Sequence, residues 1–145
     1  MTIIERSALV PHSQKQMFEL VNNIEEYPRF LQWCHSSQII SQHETEIVAT
    51  LEIAWSGVHK SFTTQNTLTP CSRIEMNLVK GPFKQMQGVW DFIALGEEGC
   101  KVCLHLDFEF TGSLMDRMFH SIFNQVANSL VEAFCKRAAE IYGSR

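Results

Sequence analysis

The chain has 145 residues, 45% hydrophobic and 19% charged, with a formal net charge of -4. That length suits a single domain over residues 1–145, the composition excludes a disordered chain, and the mild acidity excludes a protein that holds nucleic acid through its overall charge. No apolar run reaches the roughly 20 residues of a membrane-crossing helix, and the opening MTIIERS lacks the basic-then-apolar run of a secretory signal. Five scattered cysteines, Cys34, Cys71, Cys100, Cys103 and Cys135, form no paired framework, so a reduced cytoplasmic setting is expected.

In chain order, TIIERSALV reads as a strand that Pro11 ends, and Ser13 is placed to cap a helix whose stripe is Met17, Phe18, Leu20, Val21 and Ile24. A second short helix or turn, built around Pro28, carries Tyr27, Phe30, Leu31 and Trp33. From Ser37 to Thr111 the period changes to two. A strand over Ser37 to Gln42 turns at His43-Glu44, and in EIVATLEIAW the residues Ile47, Ala49, Leu51, Ile53 and Trp55 share one face. After Ser56-Gly57 comes VHKSFTTQNTL, polar and Thr-rich, which predicts a strand with one solvated face.

RIEMNLV then groups Ile74, Met76 and Leu78, and KQMQGVWDFIAL groups Met86, Gly88, Trp90 and Phe92, with Gly88 marking a bulge or bend. Beyond the Gly96 to Gly99 turn, Val102, Leu104, Leu106, Phe108 and Phe110 alternate cleanly with polar residues. Gly112-Ser113 closes the strands. Ser113 is a candidate cap, and Asp116 a dipole-favoured first-turn acid, for a helix from about Leu114 to Tyr142. Its apolar stripe is Met115, Phe119, Ile122, Val126, Leu130, Ala133 and Phe134, flanked by Met118 and Phe123.

Catalytic chemistry is hard to find in this pattern. The six histidines sit in no motif, and His105 and Asp107 share a strand face as polar alternation alone would place them. Cys100 and Cys103 point to opposite faces of their strand, which disfavours a shared metal or disulfide. The chain therefore reads as a non-enzyme without a metal.

Three segments carry a resemblance: SALVPHSQKQMFELVNNIEEYPRFLQWC at Ser7 to Cys34, MNLVKGPFKQMQGVWDF at Met76 to Phe92, and HLDFEF at His105 to Phe110. On these, over essentially its whole length, the chain resembles the START-like helix-grip proteins, and within them the coenzyme Q-binding and ribosome-association toxin (RatA) family. The resemblance implies an α+β fold: a curved antiparallel sheet of six to seven strands around a long C-terminal helix, with two short helices after the first strand. It implies an elongated apolar cavity between sheet and helix, holding ubiquinone or a similar isoprenoid lipid as a ligand rather than a cofactor, in a role linked to respiration. For the members most like this chain it implies instead a toxin that binds the large ribosomal subunit, blocks subunit joining and inhibits translation.

Met76, Leu78, Met86, Trp90, Leu106 and Phe108, opposed by Met115, Met118, Phe119, Ile122 and Phe123, are the residues expected to face the helix and line such a cavity. The same set suits a plain core. Phe30, Leu31 and Trp33 are more apolar surface than a short helix buries alone, so they either cover the cavity mouth, where they would meet ligand or a membrane surface, or cap the core. Lys80-Gly81-Pro82-Phe83-Lys84, with Lys60 and Arg73 on adjacent strands, is the candidate ribosomal RNA contact through phosphates and Phe83 stacking; a solvated loop with Phe83 turned inward has the same sequence. Oligomeric state is not legible.

Overall fold

Period-two and period-3.6 patterns sort the chain into β1 (Thr2–Val10), α1 (Gln14–Asn22), α2 (Tyr27–Phe30), β2 (Cys34–His43), β3 (Glu46–Trp55), β4 (Val58–Thr69), β5 (Arg73–Lys80), β6 (Phe83–Leu95), β7 (Gly99–Phe110) and α3 (Leu114–Tyr142). The computed structural model describes residues 2–55, 57–110 and 114–143, with 114–116 as backbone only. The expected Gly112-Ser113 break, the Ser113 cap, and the Asp116 and Met115 side chains lie outside the described residues.

α1 begins where the sequence places it. Ser13 Oγ accepts from the Gln16 amide at 3.1 Å and Gln16 Oε1 accepts from the Ser13 amide at 2.9 Å, a reciprocal capping box. A short 3-10 turn, Ile24–Glu26, leads into α2, whose Pro28 sits in the first turn where its missing N–H costs nothing.

The seven strands form one antiparallel sheet in the order β1-β7-β6-β5-β4-β3-β2. Successive registers align Ile47, Asn66, Met76, Gly88, Leu106 and Ile4 in one row across six strands. That row lies on the concave face, which grips α3. Ring contacts tie the two layers: Phe108 to Phe123 at 4.9 Å and Trp90 to Phe134 at 5.3 Å. Arg6 of β1 donates to Asn128 of α3, and the Tyr142 hydroxyl donates to the Gln16 carbonyl at 3.1 Å, anchoring the helix to the first strand and to α1.

β4 has the expected solvated face, with Ser61, Gln65, Thr67 and Thr69 exposed, while Phe62, Thr64, Asn66 and Leu68 are buried on the other. The register with Ile47 and Ala49 of β3 puts Thr64 and Asn66 on the core side. Two expectations are corrected. Gly88 marks no bulge, because its neighbours keep regular register; the β6 irregularity lies between Phe83 and Gln85. On α3 the buried stripe is Phe119, Phe123, Val126, Ala127, Val131, Phe134 and Ala138, which is rotated from the expected one and leaves Met118 58% exposed.

Candidate ligand site and interaction surfaces

Between the concave face and the middle of α3 lies a partly enclosed apolar slot of about 70 Å³. Six of the sequence-selected residues line it: Trp33, Met76, Met86, Trp90, Leu106 and Phe123. Phe108 and Phe119 are fully buried in the aromatic core and do not line it, and the partly buried Leu78 instead lines a separate polar groove with Lys84 and Gln85. Met118 cannot line it from the solvent side of α3. Phe30 and Leu31 instead line an open surface groove of about 370 Å³, and Ile122 a smaller one of about 200 Å³. Trp33 belongs to all three spaces, so its indole is the wall between the interior and the surface.

Two of the slot's lining side chains rest on bare backbone. An ideal Cβ on Gly88 would stand 2.6 Å from Met76 Cε and 2.9 Å from Leu106 Cδ1, so the missing side chain is what lets both neighbours lean over the sheet at this point. A well-packed interior holds few voids larger than a water, and an engineered apolar cavity of roughly 150 Å³ accommodates benzene. The slot therefore has room for a few heavy atoms as it stands. Pockets that enclose a drug-sized guest measure roughly 300–1,000 Å³. A polyprenyl chain enters only if walls of unbranched methionine and rotatable rings move aside.

Two residues missed by sequence reading give the slot its chemistry. Thr64 and Asn66, at 7% and 5% exposure, are lining residues with polar side chains in a wall otherwise built of aliphatic and aromatic groups. Thr64 Oγ1 donates to Asn66 Oδ1 at 2.9 Å. Tyr27 also reaches the wall, but its hydroxyl donates to the Val21 carbonyl, and burial, with Cys34 adding to it, holds the phenol protonated far above its ordinary pKa. No lining residue carries a charge. The available signal was the Thr-x-Asn spacing on one face of β4; it went unread because alternating polar residues more often mark solvent.

The Lys80 to Lys84 turn is only half as predicted. Lys80 and Lys84 are exposed, Lys60 is half-buried on β4, and Pro82 is partly covered. Phe83 is buried and packs on the rings of Phe110 at 4.8 Å, Phe123 at 4.9 Å and Phe62 at 5.8 Å, so it cannot stack on a nucleotide. Gly81 allows this by close approach, since a Cβ there would fall 2.7 Å from Phe62 Cβ. Arg73 is not part of the patch: it lies at the opposite end of β5, paired with Asp91 at 2.9 Å.

Elsewhere the titratable groups make local pairs. His105 meets Glu5 across β1 and β7 at 2.9 Å rather than Asp107, and His35 and His59 flank Glu52 at 3.9 Å each, all on the exposed face of the sheet. Among the described residues no group of three His, Cys, Asp or Glu could hold a metal ion. All five cysteines are free; burial, with Glu52 adding to it, pushes the Cys34 thiol up to about 11.

A seven-stranded antiparallel sheet gripping one long helix over an apolar slot defines the START-like helix-grip class. The family model for polyketide cyclase / dehydrase and lipid transport matches residues 10–135, and the chain belongs to that family, in the branch that holds the ribosome association toxins. It is 45% identical to the ribosome association toxin RatA of Pseudomonas aeruginosa over 98% of this chain and 99% of that protein. A coenzyme Q-binding protein COQ10 homolog B from Xenopus laevis is more distant, 26% identical over 94% of this chain and 58% of that protein. Among solved structures the Zhui aromatase/cyclase from Streptomyces superposes with a TM-score of 0.83 over 99% of both chains at 16% identity, a likeness of fold alone.

Proposed function

We propose that this protein is a ribosome-association toxin: a non-catalytic protein that binds the large ribosomal subunit, blocks subunit joining and inhibits translation in the cytoplasm. The observation that carries the reading is the 45% identity to a protein of that name, sustained over 98% of the chain. The exposed Lys80 and Lys84, with Lys60 nearby on β4, supply phosphate contacts on the strand-end face, while Gly81 and Pro82 hold the turn that presents them. Turnover is disfavoured by the chemistry of the interior. Its one ionisable lining group, Tyr27, is held protonated and already donates to the Val21 carbonyl, so no acid or base faces the slot. Sucrose-gradient profiles after overexpression test the reading: free subunits should accumulate at the expense of joined ribosomes, with the protein in the large-subunit fraction. Unchanged profiles without co-sedimentation would overturn it.

A second role, binding a ubiquinone-like isoprenoid lipid in the slot, is favoured by the apolar wall of Met76, Met86 and Trp90 and by the distant coenzyme Q-binding relative. Organic extraction of purified protein followed by mass spectrometry checks it. Protein that carries no lipid and takes up none when incubated with a short-chain quinone would count against it.

A further inference from the structure

Asn66 is an expensive residue where it stands. A buried amide away from water costs free energy unless all its hydrogen-bonding groups are answered, and natural interiors seldom leave one half-answered. Here one half is answered: the Thr64 hydroxyl donates to Asn66 Oδ1 at 2.9 Å and so sets which way the amide faces. The other half is open: Asn66 Nδ2 donates to none of the described residues, and although the residue as a whole is 5% exposed and lines the slot, this atom is not sealed from water. Its register neighbours are Ile47 and Met76, which offer no acceptor stronger than the Met76 thioether.

We infer that Asn66, oriented by Thr64, is the recognition point of the interior site, and that the site takes an uncharged ligand presenting a hydrogen-bond acceptor, a ketone or quinone carbonyl, to the Asn66 amide. The inference rests on the slot being a ligand site and is independent of the ribosome reading. The sign of the hydrogen bond selects the ligand: with Oδ1 engaged by Thr64, the amide's free capacity is its Nδ2–H donors, so an acceptor is bound and a hydroxyl serves only through its lone pairs. The absence of charge in the lining selects it again, since a carboxylate or phosphate would enter an apolar wall with no cation to answer it. The acceptor end sits against β4, and the apolar remainder points toward Trp33, whose indole also faces the surface grooves.

Three probes of one ring size separate these terms: cyclohexanone, methylenecyclohexane, in which =CH2 replaces =O, and cyclohexanecarboxylate. Binding to the full chain is read by chemical-shift changes of the Trp33 and Trp90 indole N–H and Asn66 side-chain amide signals. Cyclohexanone should bind roughly three- to tenfold tighter than methylenecyclohexane, the span of one net hydrogen bond, and the carboxylate should not enter. Asn66→Leu should erase or invert that preference while still binding the hydrocarbon, and Thr64→Val should reduce it by freeing the amide to turn. Equal binding of ketone and hydrocarbon by the unaltered protein, or a ketone preference that survives Asn66→Leu, overturns the inference and leaves the slot an apolar site. If none of the probes binds, the slot itself is not a ligand site and both readings of it fail together. The comparison within the unaltered protein decides the question even if a variant fails to fold.

Discussion

Gly88 stands directly opposite Met76 in the β5–β6 register, and the Met76 methyl occupies the place where a side chain on residue 88 would begin, 2.6 Å from an ideal Cβ. The contact is with the free end of a flexible side chain, so a methyl group is admitted by moving Met76 and Leu106 over the slot rather than by moving the sheet. Gly88→Ala should therefore change the unfolding free energy by no more than about 1–2 kcal/mol in urea titrations, while weakening uptake of an apolar probe several-fold. Unchanged probe affinity would show that these two side chains do not bound the occupied space.

Phe134 is the ring on which the two layers close, meeting Tyr27 at 5.4 Å, Phe30 at 5.5 Å and Trp90 at 5.3 Å while itself 1% exposed. Phe134→Ala removes all three contacts and enlarges the slot. The loss should be about 3–5 kcal/mol, measured by urea unfolding. A loss under 1 kcal/mol would mean that the helix collapses onto the sheet and that the slot is not held open by its walls.

Charge and ring in the β5–β6 turn should separate in their effects. Lys80→Glu with Lys84→Glu should leave thermal unfolding nearly unchanged and reduce co-sedimentation with the large subunit, most at low salt and with a shallower salt dependence, because phosphate contacts release counterions. Phe83→Ala should instead destabilise the fold by about 3–5 kcal/mol, since its ring sits among Phe62, Phe110 and Phe123. Wild-type co-sedimentation by the double lysine variant would move the ribosome contact elsewhere on the surface.

The raised Cys34 pKa has a definite sign. A buried thiol kept neutral stabilises the folded state fully below the unfolded thiol's pKa, near 9, and that contribution is lost as pH rises through about 11. Urea midpoints should thus fall above the lower value, and Cys34→Ala should flatten part of that fall. At about pH 8, iodoacetamide should modify the partly exposed Cys71 and Cys103 well before Cys34 and Cys100, as peptide mapping would read directly. Early loss of the Cys34 thiol would contradict its burial.

Much of the architecture was legible in the chain because it depends on local periodicity. Alternation in EIVATLEIAW and GCKVCLHLDFEF defines β3 and β7 without reference to any partner, and the Ser13 cap defines where α1 starts. Met76, Met86, Trp90, Leu106 and Phe123 could be assigned to the interior for the same reason: they are large, apolar and in phase. Met118 failed the test because a helix of 3.6 residues per turn drifts, and one step of phase separates a lining residue from a solvent-facing one.

Residues whose role depends on what lies across from them were not legible. Phe83 reads equally as a stacking tip or an inward-turned ring until Gly81 is seen to sit against Phe62, and which polar residues of β4 lie on its solvated face stays open until β3 and β5 fix which side is the core. What the amino-acid sequence determined by itself is the order of elements, the two-layer fold and the family, because these follow from patterns that each segment carries alone. What only the tertiary structure decided is the size of the interior, the glycine against which two of its walls rest and the amide among its lining, because register and close approach belong to pairs of strands rather than to either one.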